Sequence, residues 1–376
     1  MIMSQVPFVD LSWQHEPILA EITQAIAQVI EQGDFILGQA VTELETAFAQ
    51  ASGAEFGIGV ASGTDAIALG LQACGIGVGD EVLVPANTFV ATLIGVLHSG
   101  AKPVLVDCEA STALIDLAAA AQAITPQTKA IIAVHLYGQM VSPKELRDFA
   151  STHNLLIFED AAQAHLAERE GDSAGSIGMA AAFSFYPSKN LGAMGDGGMV
   201  ITSNPDVAKK VRSLRNYGAH RKYFHVDLGT NSRLDTLQAA ILNIKLPHLP
   251  TWNQARNRAA QTYDHLLQPL KNKEIFPLEN QSANGHIYHL YVIRIAQNCP
   301  LSRETIQEQL SAQGIQTGIH YPIPCHLQPA FEYLGYKHSD FPQAEILSQE
   351  ILSLPMYPGI SDSQLRQVTD AIQNLF

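Results

Sequence analysis

Two hydrophobic periods divide the chain. Between residues 14 and 50, apolar positions recur at three- and four-residue steps, which predicts helix. A regular alternation then begins. A short apolar run at 56–60 predicts a strand, closed by a Ser-Gly turn and followed by a helix at 65–73. The same succession recurs, with strands at 81–84, 102–106, 129–135 and 155–158 and helices at 89–97, 114–123 and 143–152. These strands are short, apolar throughout and separated by helices. That pattern predicts an α/β fold with a mostly parallel central sheet covered by helices on both faces.

Beyond residue 180 the pattern changes. Two strands, 181–186 and 198–202, are separated by the Gly-rich turn GAMGDGG, and long helical stretches follow at about 205–216 and 232–271. From about residue 275 a separate α+β unit is expected, with a strand at 288–295 and helices near 302–312, 342–353 and 362–374. The expected division is an N-terminal helix and large domain over 1–250, then a linking helix and small C-terminal domain over 251–376.

Composition narrows the function classes. A length of 376 residues with 47% hydrophobic and 15% charged residues suits one large domain and a smaller one. The formal net charge of −14 argues against non-specific nucleic-acid binding, yet permits a phosphorylated small molecule at a local positive site. Cys74, Cys108, Cys299 and Cys325 form no CxxC pair and read as small buried hydrophobes in a reducing compartment. The first residues carry Asp10 and Glu16 and lack a basic n-region, so no signal peptide is expected. No uncharged apolar run approaches the ~18 residues of a membrane span. A cytoplasmic protein without a membrane partner is the expectation.

In an open parallel sheet, ligands gather at the carboxyl ends of the strands. Ser62-Gly63-Thr64-Asp65 follows a strand and opens a helix, where free N–H groups and the helix dipole suit a phosphate; simple N-capping by Ser62 or Thr64 is the alternative. The preceding Gly57-x-Gly59 lacks the third glycine of a dinucleotide fingerprint, because Ser62 stands there. Asp160, just beyond the 155–158 strand, needs a cationic or hydrogen-bonding partner or caps the next helix. Lys189 follows an apolar strand and precedes the Gly-rich turn; burial there would lower its pKa and yield a neutral amine, whereas a solvated lysine is the ordinary alternative. Ser184 and Ser188 stand beside it as further phosphate donors. The order sets this lysine apart: phosphate turn, then Asp160, then Lys189 29 positions later.

In order and spacing, the stretches 62–66, 159–165, 184–198 and 229–240 (GTNSRLDTLQAA) resemble the DegT/DnrJ/EryC1/StrS family of sugar-nucleotide aminotransferases. The likeness runs from Phe35-Ile36-Leu37-Gly38 to about Asp362. It implies the fold type I of pyridoxal-phosphate (PLP) transferases, a PLP/PMP cofactor and a homodimer with shared active sites. By that resemblance Lys189 holds the cofactor covalently and shuttles protons, and Asp160 pairs with the ring nitrogen. Gln163 lies near the ring hydroxyl, Gly63, Thr64 and Ser184 hold the phosphate, and Phe89 stacks on the ring. Asn231 reaches the cofactor phosphate of the neighbouring subunit. Some relatives carry histidine in place of the lysine and dehydrate the sugar; this chain keeps Lys189, which favours transamination.

The family implies a nucleotide-linked keto sugar as acceptor and usually glutamate as donor. The stretch 222–235 and the tail His320-Tyr321-Pro322-Ile323-Pro324 look most like the branch that aminates C-3 of dTDP-3-keto-6-deoxyhexoses, with His320 and Tyr321 approaching the substrate. The product would then feed a deoxyamino sugar of a polysaccharide or O-antigen. C-4 amination of a UDP- or GDP-4-keto-6-deoxyhexose is the main rival. A non-sugar PLP transaminase and a PLP-binding regulator stand further off, since no DNA-binding module is visible. A metal hydrolase has only His286-x-x-His289 to draw on, on an expected strand whose alternation would turn the two rings to opposite sides.

Overall fold

The computed structural model describes residues 5–376. Its centre is a seven-stranded sheet built from β1 (Phe56–Val60), β2 (Glu81–Pro85), β3 (Lys102–Val106), β4 (Thr128–Val134), β5 (Leu156–Asp160), β8 (Ala180–Ser184) and β9 (Gly198–Thr202), with a short ribbon β6–β7 (Glu168–Arg169, Asp172–Ser173) between β5 and β8. The strand order is β1-β9-β8-β5-β4-β2-β3. From β3 to β8 every neighbour is parallel, while β9 runs antiparallel to both β8 and β1. The connections explain this. Parallel neighbours need a crossover, and α4 (Gly63–Ala73), α5 (Val90–Ser99), α6 (Leu117–Gln122) and α7 (Pro143–His153) supply crossovers, with the long segment holding β6–β7 doing so between β5 and β8; β8 turns straight back to β9 through a loop and pairs with it antiparallel. The apolar runs read from the sequence are buried in this sheet, Ile131, Ile132 and Val200 among them, and helices cover both faces. The expected mostly parallel α/β architecture is the one observed.

Beyond the sheet the chain adds α8 (Pro205–Leu214), an exposed ribbon β10–β11 (Ala219–Arg221, Phe224–His225), α9 (Thr236–Lys245) and α10 (Leu249–Leu266). The last part holds a three-stranded antiparallel sheet, β12 (Ile275–Pro277), β13 (Tyr291–Ile295) and β14 (Ile351–Leu354), with α11 (Arg303–Ala312), α12 (Pro342–Glu350) and α13 (Asp362–Gln373). A second hydrophobic cluster, with Tyr263, Ile293, Leu310, Leu352 and Val368, lies inside it, and Val6 joins that cluster. Among the described residues no helix is long and apolar enough to cross a membrane.

Several elements differ from the sequence expectation. The 14–50 stretch is broken: α1 (Ser12–His15) and α2 (Leu19–Gln32) precede α3 (Gln39–Ala51), because Gly33 closes α2 with a left-handed φ of 69°. The 232–271 stretch divides at Leu246–His248, where Pro247 interrupts α-helical bonding. The helix expected to reach 353 stops at Glu350. The apolar run Ile-Leu-Ser-Leu that follows becomes β14, since pairing with β13 decides a segment whose periodicity is ambiguous. His286 and His289 precede β13 and do not lie on it. There the backbone is irregular, with Tyr288 at a φ of 43°.

Candidate active site

The carboxyl ends of β2, β4, β5 and β8 open onto one cavity of about 490 Å³. Gly63, Thr64, Phe89, Asp160, Gln163, Ser184, Lys189, His320 and Tyr321 all line it, so nine of the ten site residues expected from sequence meet in one place. Asn231 does not join them. It is exposed, bridging to Asn216 in the segment after the β10–β11 ribbon.

Each residue owes its place to a local feature. Ser62 caps α4 by accepting from the Asp65 N–H, leaving the next turn of the helix facing the cavity. Gly63 is pressed against β8: a Cβ there would stand 2.7 Å from Cβ of Ser184. Asp160 is the last residue of β5. It accepts at Oδ1 from the Ala162 N–H (3.2 Å) and at Oδ2 from the Thr92 hydroxyl (2.7 Å). Gln163 accepts at Oε1 from the Tyr137 N–H (2.6 Å) and donates through Nε2 to the Tyr321 hydroxyl (3.1 Å). The rings of Phe89 and Tyr321 lie 5.2 Å apart on one wall. His320 is stacked on Phe8, and its Nδ1 sits 2.8 Å from the Ser353 hydroxyl. The Tyr137 hydroxyl donates to the His320 carbonyl and so ties β4's loop to the C-terminal unit.

The electrostatics turn on Lys189. Displacement of water by the surrounding protein lowers its pKa from 10.5 to about 8, and the Asp160 carboxylate opposes part of that fall. Burial, with the positive charge of Lys189 adding to it, pushes His320 down to about 4 and His165 to about 3, so both imidazoles are neutral near pH 7. Lowering the pKa of an amine moves the onset of its neutral, nucleophilic form to lower pH. About a tenth of Lys189 is neutral at pH 7, against roughly 0.04% for a solvated lysine. We therefore expect PLP uptake by the apoprotein to accelerate about tenfold per pH unit below pH 8 and to level off above it. Stopped-flow absorbance between pH 6 and 10 checks this; a rate still climbing at pH 10 would mean a solvated lysine.

The donor set fits PLP. Gly63, whose missing Cβ leaves room at the helix N-terminus, together with Thr64 and Ser184, can cradle a phosphate. The buried Asp160 carboxylate retains acceptor capacity for a protonated ring nitrogen. Lys189 supplies the amine. Among the described residues no group of three or more His, Cys, Asp or Glu is placed to hold a metal ion.

Sequence reasoning missed several lining residues: Thr88, His135, Tyr186, Asp196 and His289. His135 directly follows β4 and was open to the same strand-end reasoning that found Asp160. Thr88 lies in the loop after β2. His289 carries no such signal, since it reaches the cavity from the irregular segment before β13 and its Nδ1 sits 3.2 Å from Asn190 Oδ1.

Comparison with known proteins agrees with this geometry. The model of the DegT/DnrJ/EryC1/StrS aminotransferase family matches residues 17–373. The chain is 44% identical to a pleiotropic regulatory protein of Geobacillus stearothermophilus over 99% of this chain and 98% of that one. It is also 44% identical to dTDP-3-amino-3,6-dideoxy-alpha-D-galactopyranose transaminase of Aneurinibacillus thermoaerophilus, over 98% of each. Among solved structures, S. venezuelae DesV in complex with a ketimine intermediate superposes with a TM-score of 0.94 at 41% identity, covering 99% of this chain and 98% of the other.

Proposed function

Because the chain belongs to the DegT/DnrJ/EryC1/StrS aminotransferase family, and is thus a PLP-dependent sugar aminotransferase, we propose that it moves an amino group from glutamate to C-3 of a dTDP-3-keto-6-deoxyhexose. The observation that carries the chemistry is one cavity in which a lysine with depressed pKa faces Asp160 and the 62–64 turn. The relative from A. thermoaerophilus, a dTDP-3-amino-sugar transaminase over nearly its whole length, supports the substrate. The retained lysine and its complete surroundings favour an enzyme, although the G. stearothermophilus relative bears a regulatory name.

Bound PLP supplies a carbonyl that takes up and gives up the amino group and a ring that accepts an electron pair. The rest falls to the chain. Lys189 holds the cofactor between turnovers; once free, its Nζ carries a proton to and from the reacting carbon. Asp160 keeps a negative charge against the ring nitrogen so that the nitrogen stays protonated. Gly63, Thr64 and Ser184 grip the phosphate while no covalent link to Lys189 exists. Gln163 orients the ring edge, Phe89 covers its face, and His320 and Tyr321 meet the hexose. Asn231, exposed in one subunit, completes the phosphate cup of its partner in a homodimer. The protein works in the cytoplasm, without nucleic-acid or membrane partners, to make a deoxyamino sugar for a polysaccharide or O-antigen.

The test is a panel of dTDP- and UDP-linked 3-keto and 4-keto sugars offered to the PMP-loaded enzyme, with the aminated carbon read by NMR. Amination at C-3 of the dTDP-3-keto sugar is expected. Amination at C-4 would overturn the regiochemistry alone, and turnover of only free amino acids or free sugars would overturn the substrate class.

A further inference from the structure

Asp160 is held from an unexpected side. Thr92, on the first turn of α5, is fully buried, and its hydroxyl donates to Asp160 Oδ2 at 2.7 Å. Thr88 lies four residues earlier, in the loop that leads into α5, and its Oγ1 is 2.8 Å from Oγ1 of Thr92. The direction of this chain of hydroxyls follows from its end. An ionised carboxylate only accepts, so Thr92 must donate to it. With its one proton committed, Thr92 accepts from Thr88, and Thr88 lines the cavity. The backbone of Thr88 is fixed in turn: its carbonyl accepts from Cys325 Sγ (3.2 Å), and the Cys325 N–H donates to the Ala86 carbonyl (2.8 Å).

We infer that Thr92, fixed by Thr88, is a positioning residue for the cofactor: its hydroxyl sets the carboxylate of Asp160 in the orientation that receives the ring nitrogen. The inference rests on the PLP reading above. Two fixed donors, the Thr92 hydroxyl and the Ala162 N–H, occupy one direction on each oxygen of Asp160. The remaining lone pairs are thereby aimed without a rotational search. Valine has nearly the shape of threonine but no hydroxyl, so Thr92→Val removes the donor and leaves the packing of α5 almost unaltered.

The experiment measures PMP binding to the full-length apoprotein by quenching of protein fluorescence. PMP lacks the carbonyl and cannot bond covalently to Lys189, so its affinity reports the noncovalent cradle. Thr92→Val should weaken PMP about tenfold, or ~1.4 kcal/mol, and Thr92→Ser should restore affinity to within about twofold. In an Asp160→Asn background the Thr92→Val change should have almost no further effect, because the group it positions is gone. Thr88→Val leaves the Thr92 hydroxyl but frees its rotor, and should cost about threefold even if Thr92→Val fails to fold. Wild-type affinity in Thr92→Val or in Thr88→Val would overturn the inference, as would an equal loss in the Asp160→Asn background. Failure of the wild-type protein to bind PMP at all would overturn the cofactor reading and this inference together.

Discussion

Lys189→Ala should lose multiple-turnover amino transfer by on the order of 10⁴-fold, the upper end of what one positioned acid–base group supplies. Lys189 lines the cavity with Asp160, and its pKa near 8 makes it competent both to give and to take a proton near neutral pH. His320 and His289 are both held well below 6.5, chiefly by burial, so neither is a proton donor at pH 7. Lys189→Arg separates charge from proton transfer. Arginine keeps the positive charge but stays protonated at any accessible pH, so it should be as inactive as alanine. Both variants should retain the nucleotide sugar to within about threefold, since the rest of the lining is intact. Steady-state rates and binding titrations on the pair decide the matter; more than about a hundredth of wild-type activity in Lys189→Arg would remove the acid–base role.

Why Lys189 stands out in the sequence and Thr92 does not has a physical basis. Strand ends face the ligand side of a parallel sheet, so residues following apolar runs are exposed to inference by position alone. Gly63, Asp160 and Lys189 are of that kind. Thr92 and Thr88 act through an i, i+4 relation between the first turn of a largely apolar helix and the loop before it, and a buried threonine there looks like any other. Tyr137 and His320 are 183 positions apart, and no local pattern links them. The strand Ile351–Leu354 was legible as apolar but not as extended, since only pairing with Tyr291–Ile295 fixes its state. Asn231 shows the opposite limit. Its neighbourhood in the sequence pointed to it, but its place within one chain is an exposed segment outside the cavity.

Glu159 is a case in which adjacent acids do different work. Side chains alternate along β5, so Glu159 and Asp160 leave opposite faces of the sheet. Glu159 is fully buried and accepts four hydrogen bonds: from the Gly175 N–H (2.7 Å) and His135 Nε2 (2.9 Å) at Oε2, and from the Ile177 and Gly178 N–H groups (2.8 Å each) at Oε1. His135 must donate there, because its Nδ1 already accepts from the Val141 N–H. Glu159→Ala strands all four donors. At ~1–3 kcal/mol for each unsatisfied buried group, and with water re-entering part of the void, a loss of roughly 4–8 kcal/mol is expected. That is comparable to the whole stability of a typical domain, about 5–15 kcal/mol. Glu159→Gln should fall between. Its carboxamide oxygen can still accept from Ile177 and Gly178, but its NH₂ would face two donors, and His135 cannot change tautomer without losing Val141. The loop 175–178 leads into β8, which carries Ser184 to the cavity, so cofactor retention should decline in step with stability. Urea unfolding of the apoproteins, followed by circular dichroism, orders wild type above Glu159→Gln above Glu159→Ala; coincident midpoints for wild type and Glu159→Ala would show that the buried carboxylate does not anchor the site.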